Sequence, residues 1–194
     1  KTYACLMKWF VIILCVAFLF TSLYIDVWER IFLGSSYRVG VGVVPILLGA
    51  NVCLGIYYNL SVWYKITDRM RMGMYITLIG AALTLVLNFA FIPKYGMYAC
   101  AWATLAAYAS MMVVSYFMGQ RYFPVPYAIK KLLAYLLIML VLFSISRGVA
   151  ALTHILAIRF IAATALMGSF LYLVFNAEKK ELKQLPYIGR FVKE

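Results

Sequence analysis

The sequence predicts an all-α integral membrane protein with six transmembrane helices. Hydrophobic residues make up 66% of the chain and charged residues 12%, and the mean hydropathy is +0.95. Soluble domains are closer to half apolar and a quarter charged. The basic residues, which give a net charge of +12, separate apolar runs of membrane-spanning length instead of forming one patch. The charge pattern therefore indicates loops between membrane spans, and nucleic acid is not predicted as a partner.

Six apolar segments are long enough to cross a hydrocarbon core of about 30 Å, which requires about 20 helical residues. They cover residues 3–25, 39–63, 73–91, 97–118, 131–146 and 153–175, and the fifth is the shortest. Backbone groups cannot remain unpaired in lipid, and no segment alternates polar and apolar residues with a period of two. All six are therefore predicted to be helices.

The basic residues between the spans predict the orientation. Four of them lie on one side: Arg30, Arg38, Lys94 and Arg147. Arg159 falls within the last span and is set aside. The remaining Lys and Arg residues lie on the opposite side. Cytoplasmic loops carry the excess of Lys and Arg, so both termini of this chain are predicted to be cytoplasmic. The predicted cytoplasmic end of the spans is called the inner end below, and the opposite end is called the outer end.

The connection after the first span has room for a short interfacial helix carrying Trp28. It also contains two acids, Asp26 and Glu29, close to Arg30 and Arg38. Because solvated charges at a surface need no special explanation, these acids are expected to pair locally with the two arginines and not to bind an ion.

The second span contains Gly40, Gly42 and Pro45 in its outer third. A proline inside a helix removes one backbone hydrogen bond and kinks the helix. Transporters place such breaks at moving or binding segments, but a passive kink satisfied by neighbouring helices has the same sequence. Both interpretations stay open.

Further along the second span, Asn51, Gly55 and Tyr58 share a helical face, with Asn59 on its flank. The turn that follows is basic and contains Lys65, Arg69 and Arg71. Such clusters anchor a protein to anionic lipid headgroups, and Lys and Arg are also the usual partners of phosphate groups.

Residues 80–108 predict a helical hairpin. The first helix is expected to end at the Ile92–Pro93 bond, followed by a turn through Gly96, because proline lacks a backbone donor and glycine tolerates left-handed angles. Small and polar residues form a stripe on each helix, and the two stripes are expected to pack together: Gly73, Thr77, Ala81, Thr84 and Asn88 before the turn, Ala99, Ala103, Ala106 and Ser110 after it. Asn88 is then either a packing residue or a ligand contact.

The hairpin resembles one in bacterial oligosaccharide flippases, the polysaccharide-biosynthesis exporters of the superfamily that also contains the multidrug and toxin extruders. The likeness lies in Asn88, the run Ile92-Pro93-Lys94-Tyr95-Gly96 and the run Ala101-Trp102-Ala103-Thr104. The family pattern continues after the turn with Gly-Ala-Ala-x-Ala-Thr, and this chain departs from it at Ala99-Cys100-Ala101. Residues 49–68, GANVCLGIYYNLSVWYKITD, also resemble the family, and the likeness covers about residues 24–127.

The resemblance implies a two-lobed transporter of about fourteen helices that alternates access around a central cavity. This chain would supply helices nine to fourteen, and the missing N-terminal lobe of the same protein would be a partner together with membrane lipids. Residues 1–127 would belong to the C-terminal lobe, 128–176 would be a final helix pair that forms a groove for a lipid tail, and 177–194 would be a basic cytoplasmic tail. The implied activity is the flipping of an undecaprenyl-diphosphate-linked oligosaccharide across the bacterial cytoplasmic membrane for export of surface polysaccharide.

On this interpretation, two groups of residues are predicted to contact the substrate. The candidates for the oligosaccharide and its outer headgroup position are Arg38, Asn51, Tyr58, Asn59, Asn88 and Arg159. The candidates for the headgroup at the inner end are Lys65, Arg69 and Arg71. Arg159 is also explained by snorkelling of its side chain from within the last span to the outer surface.

Two alternatives remain. A drug or cation extruder of the same superfamily is expected to keep an acid inside the membrane, and the sequence places no acid deep in any span. A membrane-embedded glycan-assembly enzyme would need clustered acids, an activated nucleophile or metal ligands. His154 has no acid or cysteine nearby, and the four cysteines lie in apolar runs without metal-ligand spacing. No catalytic residue, metal or cofactor is therefore predicted.

Overall fold

The computed structural model describes residues 2–32, 40–122, 128–152 and 156–182, and these ranges contain no strand. The helices are α1 (Thr2–Leu23), α2 (Ile25–Phe32), α3 (Val44–Leu60), α4 (Val62–Ile66), α5 (Met70–Tyr95), α6 (Met97–Tyr122), α7 (Ile129–Leu152) and α8 (Leu156–Leu182).

Six helical segments within these ranges are long and apolar enough to cross a membrane, which confirms the predicted all-α membrane fold. They are Tyr3–Leu23, Gly40–Ile66, Met70–Tyr95, Met97–Tyr122, Ile129–Ala150 and Ile158–Lys179. A short helix is present where the sequence predicted one after the first span; it is α2, which carries Trp28. The fifth span is longer than predicted, and α8 continues to Leu182, so residues 177–182 are helical although the sequence placed them in the tail.

Pro45 does not kink the interior of a helix. A 3₁₀ turn covers residues 40–43, and Pro45 lies in the first turn of α3. In the first turn of a helix the backbone N–H groups have no acceptor within the helix. A proline there, which has no N–H group, therefore removes no helical hydrogen bond. Pro45 therefore begins the α-helix, and the prediction of an interior break at this residue was wrong.

The α5–α6 hairpin forms as predicted, but α5 ends three residues later than expected. Pro93 lies in the last turn of α5, which continues to Tyr95. Gly96 then adopts a φ of +57°, its N–H donates to the Ile92 carbonyl at 2.9 Å, and α6 begins at Met97. A left-handed φ is readily adopted by glycine, which explains why the reversal occurs at this residue.

The contact face of α5 is rotated from the predicted stripe. Gly73, Ile76 and Gly80 are buried, whereas Thr77 and Ala81 are exposed. On α6 the buried small residues include Ala99, Ala103 and Ala107, whereas Ala106 is exposed and Ser110 is half-buried.

The helices associate in two groups. In the first, α1 packs against α2, α7 and α8, and α7 packs against α8; in the second, α6 packs against α3, α4 and α5, and α4 joins α3 to α5. Contact between α1 and α3 connects the groups. The division at residues 127 and 128 stays a prediction, and the packing shows that α7 and α8 lie against α1, the first helix of the chain.

Candidate functional site

Three predicted site residues of the second span are exposed. Asn51 and Tyr58 of α3 and Lys65 of α4 are all exposed, and the spacing of seven residues between Asn51 and Tyr58 gives these two nearly the same direction around the helix axis. The side-chain amide of Asn51 donates to the Leu47 carbonyl at 3.0 Å, and the ring of Tyr58 is 59% exposed. Asn51 and Tyr58 are called the α3 strip below.

Other faces of α3 pack against α1 and α6. Gly55 lies so close to α1 that a Cβ there would meet the Leu14 side chain at 2.6 Å, and Tyr57 is buried in a cluster with Ile76 and Met111. The α3 strip is the face that remains between these contacts. A polar side chain directed at lipid within a membrane span is costly, so exposed polar residues on such a face indicate water or further protein beside it.

Asn59 lies on the flank of the strip, as the helical period predicts. Its side-chain amide is half-buried and donates to the Gly55 carbonyl at 3.3 Å. This bond satisfies one amide donor within the helix itself, so Asn59 differs from Asn51 mainly in the direction it faces.

The basic turn at the inner end is held in a defined conformation. Asp68 has a left-handed φ of 53°, and the N–H of Arg69 donates to the Tyr64 carbonyl at 2.8 Å, which closes the end of α4. Lys65 and Arg71 are exposed. The Arg69 guanidinium lies 4.4 Å from the centre of the Tyr122 ring, a cation–π contact, so the turn is fastened to the end of α6.

Asn88 is not brought to the α3 strip. It lies on α5, which packs against α6 and α4, in a shallow groove of about 370 Å³ with Leu85, Phe89, Ile92 and Pro93. Its side-chain oxygen is enclosed and has no hydrogen-bond partner among the described residues. The role of Asn88 as a packing residue or a ligand contact stays a prediction.

Arg159 joins three elements at the outer end. Its Nη1 donates to Asp26 Oδ2 at 3.1 Å, and its Nη2 donates to the Ala150 carbonyl near the end of α7. Asp26 therefore pairs with an arginine of α8, and the prediction of a purely local pair for this acid was wrong. Arg38 lies outside the described residues.

Sequence reasoning missed a buried charged cluster near the inner end. Glu178 of α8 is buried, and its carboxylate pairs with Lys8 of α1, accepts a bond from Tyr135 at 2.6 Å and pairs with Lys131 at 3.3 Å, both on α7. The sequence placed Glu178 in the cytoplasmic tail and counted Lys8 among the basic residues of the inner side, but Lys8 is buried within α1 and Glu178 is buried one residue from the inner end of the last candidate span. Glu178 therefore belongs to the packed helices and not to the tail.

One sequence signal could have found this cluster. Lys8 interrupts an apolar run and Glu178 ends another, and ionisable residues at membrane depth usually face the bundle interior and pair with one another. Their separation of 170 residues gives no local cue to the pairing.

No protein-family model, curated protein or solved structure matches the chain. The likeness to oligosaccharide flippases therefore rests on the sequence motifs around the α5–α6 turn and in α3.

Proposed function

We propose that this chain is part of a transporter that flips a lipid-linked oligosaccharide across the bacterial cytoplasmic membrane by alternating access. The observation that carries the proposal is the α3 strip, because Asn51 and Tyr58 are exposed on a membrane-spanning helix that packs against α1 and α6 on other faces. If the strip borders a water-filled cavity, its polar groups cost little and become available to a polar substrate. The N-terminal lobe implied by the resemblance would form the opposite wall of that cavity.

The chemistry of the strip suits an oligosaccharide attached to a diphosphate. Amide and phenol groups donate to and accept from sugar hydroxyls, and the Tyr58 ring offers an apolar surface to a sugar face. At the inner end, Lys65 and Arg71 are exposed at the level where a lipid diphosphate in the cytoplasmic leaflet would lie. Ammonium and guanidinium groups bind phosphate oxygens through charge-assisted hydrogen bonds.

A drug or cation extruder of the same superfamily is the second candidate, and one specific observation favours it. Glu178 is a buried acid one residue from the inner end of a candidate span, and such an extruder is expected to have an acid inside the membrane. However, both carboxylate oxygens of Glu178 are engaged by lysine or tyrosine donors. Two ammonium groups beside one carboxylate oppose the binding of a further cation, so this cluster supports the second candidate less well than the α3 strip supports the first.

The proposed function is tested by complementation with the full-length protein in cells lacking their own oligosaccharide flippase. Asn51→Ala and Tyr58→Leu are expected to reduce surface polysaccharide severalfold at unchanged membrane expression, because each removes a polar contact to the cargo. Asn176→Ala is the matched control, since it removes the same type of exposed side chain from α8, outside the α3 strip.

Normal export by both strip variants would contradict the proposal. Resistance to cationic drugs conferred by the wild-type protein, without restored polysaccharide export, would instead favour the extruder.

A further inference from the structure

An apolar cleft of about 270 Å³ opens between α6 and α7 towards the inner end of the molecule. Its floor is formed by Met7 and Val11 of α1 and by Ile56 and Leu60 of α3, which are all buried. Only apolar and aromatic side chains line it, among them Phe117 of α6 and Leu133 of α7. The cleft therefore lies where the two helix groups meet, and it offers no polar contact in its interior except the phenol of Tyr116.

The mouth of the cleft is exposed. Val113 and Phe117 on α6 are 45% and 68% exposed, and Leu133 on α7 is 53% exposed. These side chains point away from the packed interior, so the cleft is open along the side of the bundle, where a membrane protein meets lipid. An alkyl chain could enter it sideways from the bilayer.

Each side of the mouth carries a basic residue one turn closer to the inner end. Arg121 follows Phe117 by four residues on α6, and Lys130 precedes Leu133 by three residues on α7. Residues three or four positions apart are neighbours on a helix surface, so both basic residues lie beside the cleft mouth. Both side chains are exposed.

We propose that the cleft binds an anionic phospholipid of the cytoplasmic leaflet, with one acyl chain between α6 and α7 and the phosphate group at Arg121 and Lys130. Basic residues between transmembrane helices on the cytoplasmic side are typical of sites for anionic headgroups. The guanidinium of Arg121 suits a phosphate because it can donate two parallel hydrogen bonds to the phosphate oxygens. The ammonium of Lys130 adds a second positive charge on the facing helix.

The length of the cleft fits a lipid of one leaflet. The lining residues span about seven positions on α7, which corresponds to about 10 Å at a helical rise of 1.5 Å per residue. One leaflet accounts for about 15 Å of a hydrocarbon core of about 30 Å. An acyl chain anchored at the inner end therefore fills the cleft without crossing the midplane.

The chemistry of the cleft excludes the polar part of the proposed cargo. Sugar hydroxyls buried among these side chains would lose hydrogen bonds to water without replacement. Ile56 and Leu60 also lie on the side of α3 turned away from Asn51 and Tyr58, as the helical period requires. The lipid site is therefore separate from the α3 strip, and it does not depend on the proposed transport function.

The site is tested by native mass spectrometry of the purified full-length protein with phosphatidylglycerol or phosphatidylcholine as the probe. Phosphatidylglycerol is expected to be retained more strongly, and the double variant Arg121→Gln/Lys130→Gln is expected to weaken its retention about tenfold, because two phosphate contacts are lost. The matched control is Lys94→Gln/Arg147→Gln, which removes one exposed lysine and one exposed arginine at the outer end, away from the cleft. Equal retention of both lipids by the wild-type protein, or equal losses in the two double variants, would overturn the headgroup assignment.

The acyl-chain position is tested with a phosphatidylglycerol that carries a photoreactive diazirine on one acyl chain. Crosslinks are expected on Val113, Phe117 and Leu133, and few on Leu137, which is 60% exposed on the same helix but does not line the cleft. Equal labelling of Leu133 and Leu137 would show a non-specific lipid shell and overturn the proposal. Displacement of these crosslinks by a polyprenyl-diphosphate oligosaccharide, but not by unlabelled phosphatidylglycerol, would assign the cleft to the cargo and likewise overturn it.

Discussion

The two helix groups are held together by different interactions. In the group of α1, α2, α7 and α8, charged side chains join helices that are far apart in the sequence, through the pairs of Lys8 with Glu178 and of Asp26 with Arg159. In the group of α3 to α6, close approach at glycines and contacts between aromatic rings take this role. A Cβ at Gly73 would meet the Tyr64 ring at 2.7 Å, and Trp63 stacks on Tyr122 with ring centres 5.6 Å apart.

The difference follows from how helices associate in lipid. Because lipid tails are as apolar as leucine, hydrophobic burial does not drive helix contact, and close packing or polar bonds must do so. Consecutive helices such as α5 and α6 are already held close by their short turn, so packing at small residues is sufficient. Helices at opposite ends of the chain have no such connection, and an ion pair can specify the correct partner among many apolar surfaces.

The largest effect is expected from breaking the charged cluster of Glu178. Replacement of Glu178 by Ala removes the carboxylate that pairs with the buried Lys8, and removal of one partner of a buried pair typically costs about 3–5 kcal/mol. The melting temperature in detergent should therefore fall markedly. The double variant Lys8→Met/Glu178→Met is expected to recover most of the loss, because an apolar pair of similar volume is often nearly neutral. If the double variant is as unstable as Glu178→Ala, the charges are not what joins α1 to α8.

A smaller effect is expected from adding a methyl group at the close contact in the second group. In Gly73→Ala the new Cβ would meet the Tyr64 ring, and such overpacking typically costs about 1–3 kcal/mol. Gly168→Ala is the matched control in α8, where a Cβ would meet nothing within 4 Å. There the greater helix propensity of alanine should leave stability unchanged or raise it by up to about 1 kcal/mol. Thermal unfolding in detergent gives the melting temperature of each variant. Equal changes in melting temperature for Gly73→Ala and Gly168→Ala would argue against close packing of α5 on Tyr64.

The outer ion pair should contribute less than the inner cluster. Side chains of Arg159 and Asp26 are 26% and 32% exposed, so solvent screens their interaction, and we expect Arg159→Lys to change stability by about 1 kcal/mol or less. The same variant tests the predicted headgroup role of Arg159. A diphosphate contact should lose transport with lysine at unchanged expression, because lysine cannot bind bidentately. If Arg159→Lys and Arg159→Gln both transport normally, Arg159 serves only to join the helices.

The last test uses cysteine labelling at the two ends of α5, and no change in stability is expected from it. It tests the predicted orientation of the chain in the membrane. Arg71 and Lys94 are exposed at opposite ends of this helix. Single cysteines at these positions, in a variant lacking the four native cysteines, should react from opposite sides of the membrane, with Lys94→Cys open to an impermeant external reagent. Labelling of both from outside would refute the predicted topology.

The sequence by itself determined the fold class and the approximate position of each span. Apolar runs of sufficient length predicted six spans, because the thickness of a bilayer sets a minimum helix length. The Pro93 to Gly96 turn predicted the hairpin, and the helical period predicted that Asn51 and Tyr58 share a face. Each of these features depends on local chemistry, which a single stretch of residues contains.

The tertiary structure alone decided which faces and which charges meet. The exposed Thr77 donates to the Gly73 carbonyl and Thr84 donates to the Gly80 carbonyl, so their hydroxyls are satisfied within α5 and do not require a helix partner. This is why the polar stripe did not predict the contact face. Spans that are apolar on all sides carry little periodic signal about their packing. The pairings of Glu178 with Lys8 and of Arg159 with Asp26 arise from the arrangement of α1, α2, α7 and α8, which no local pattern records.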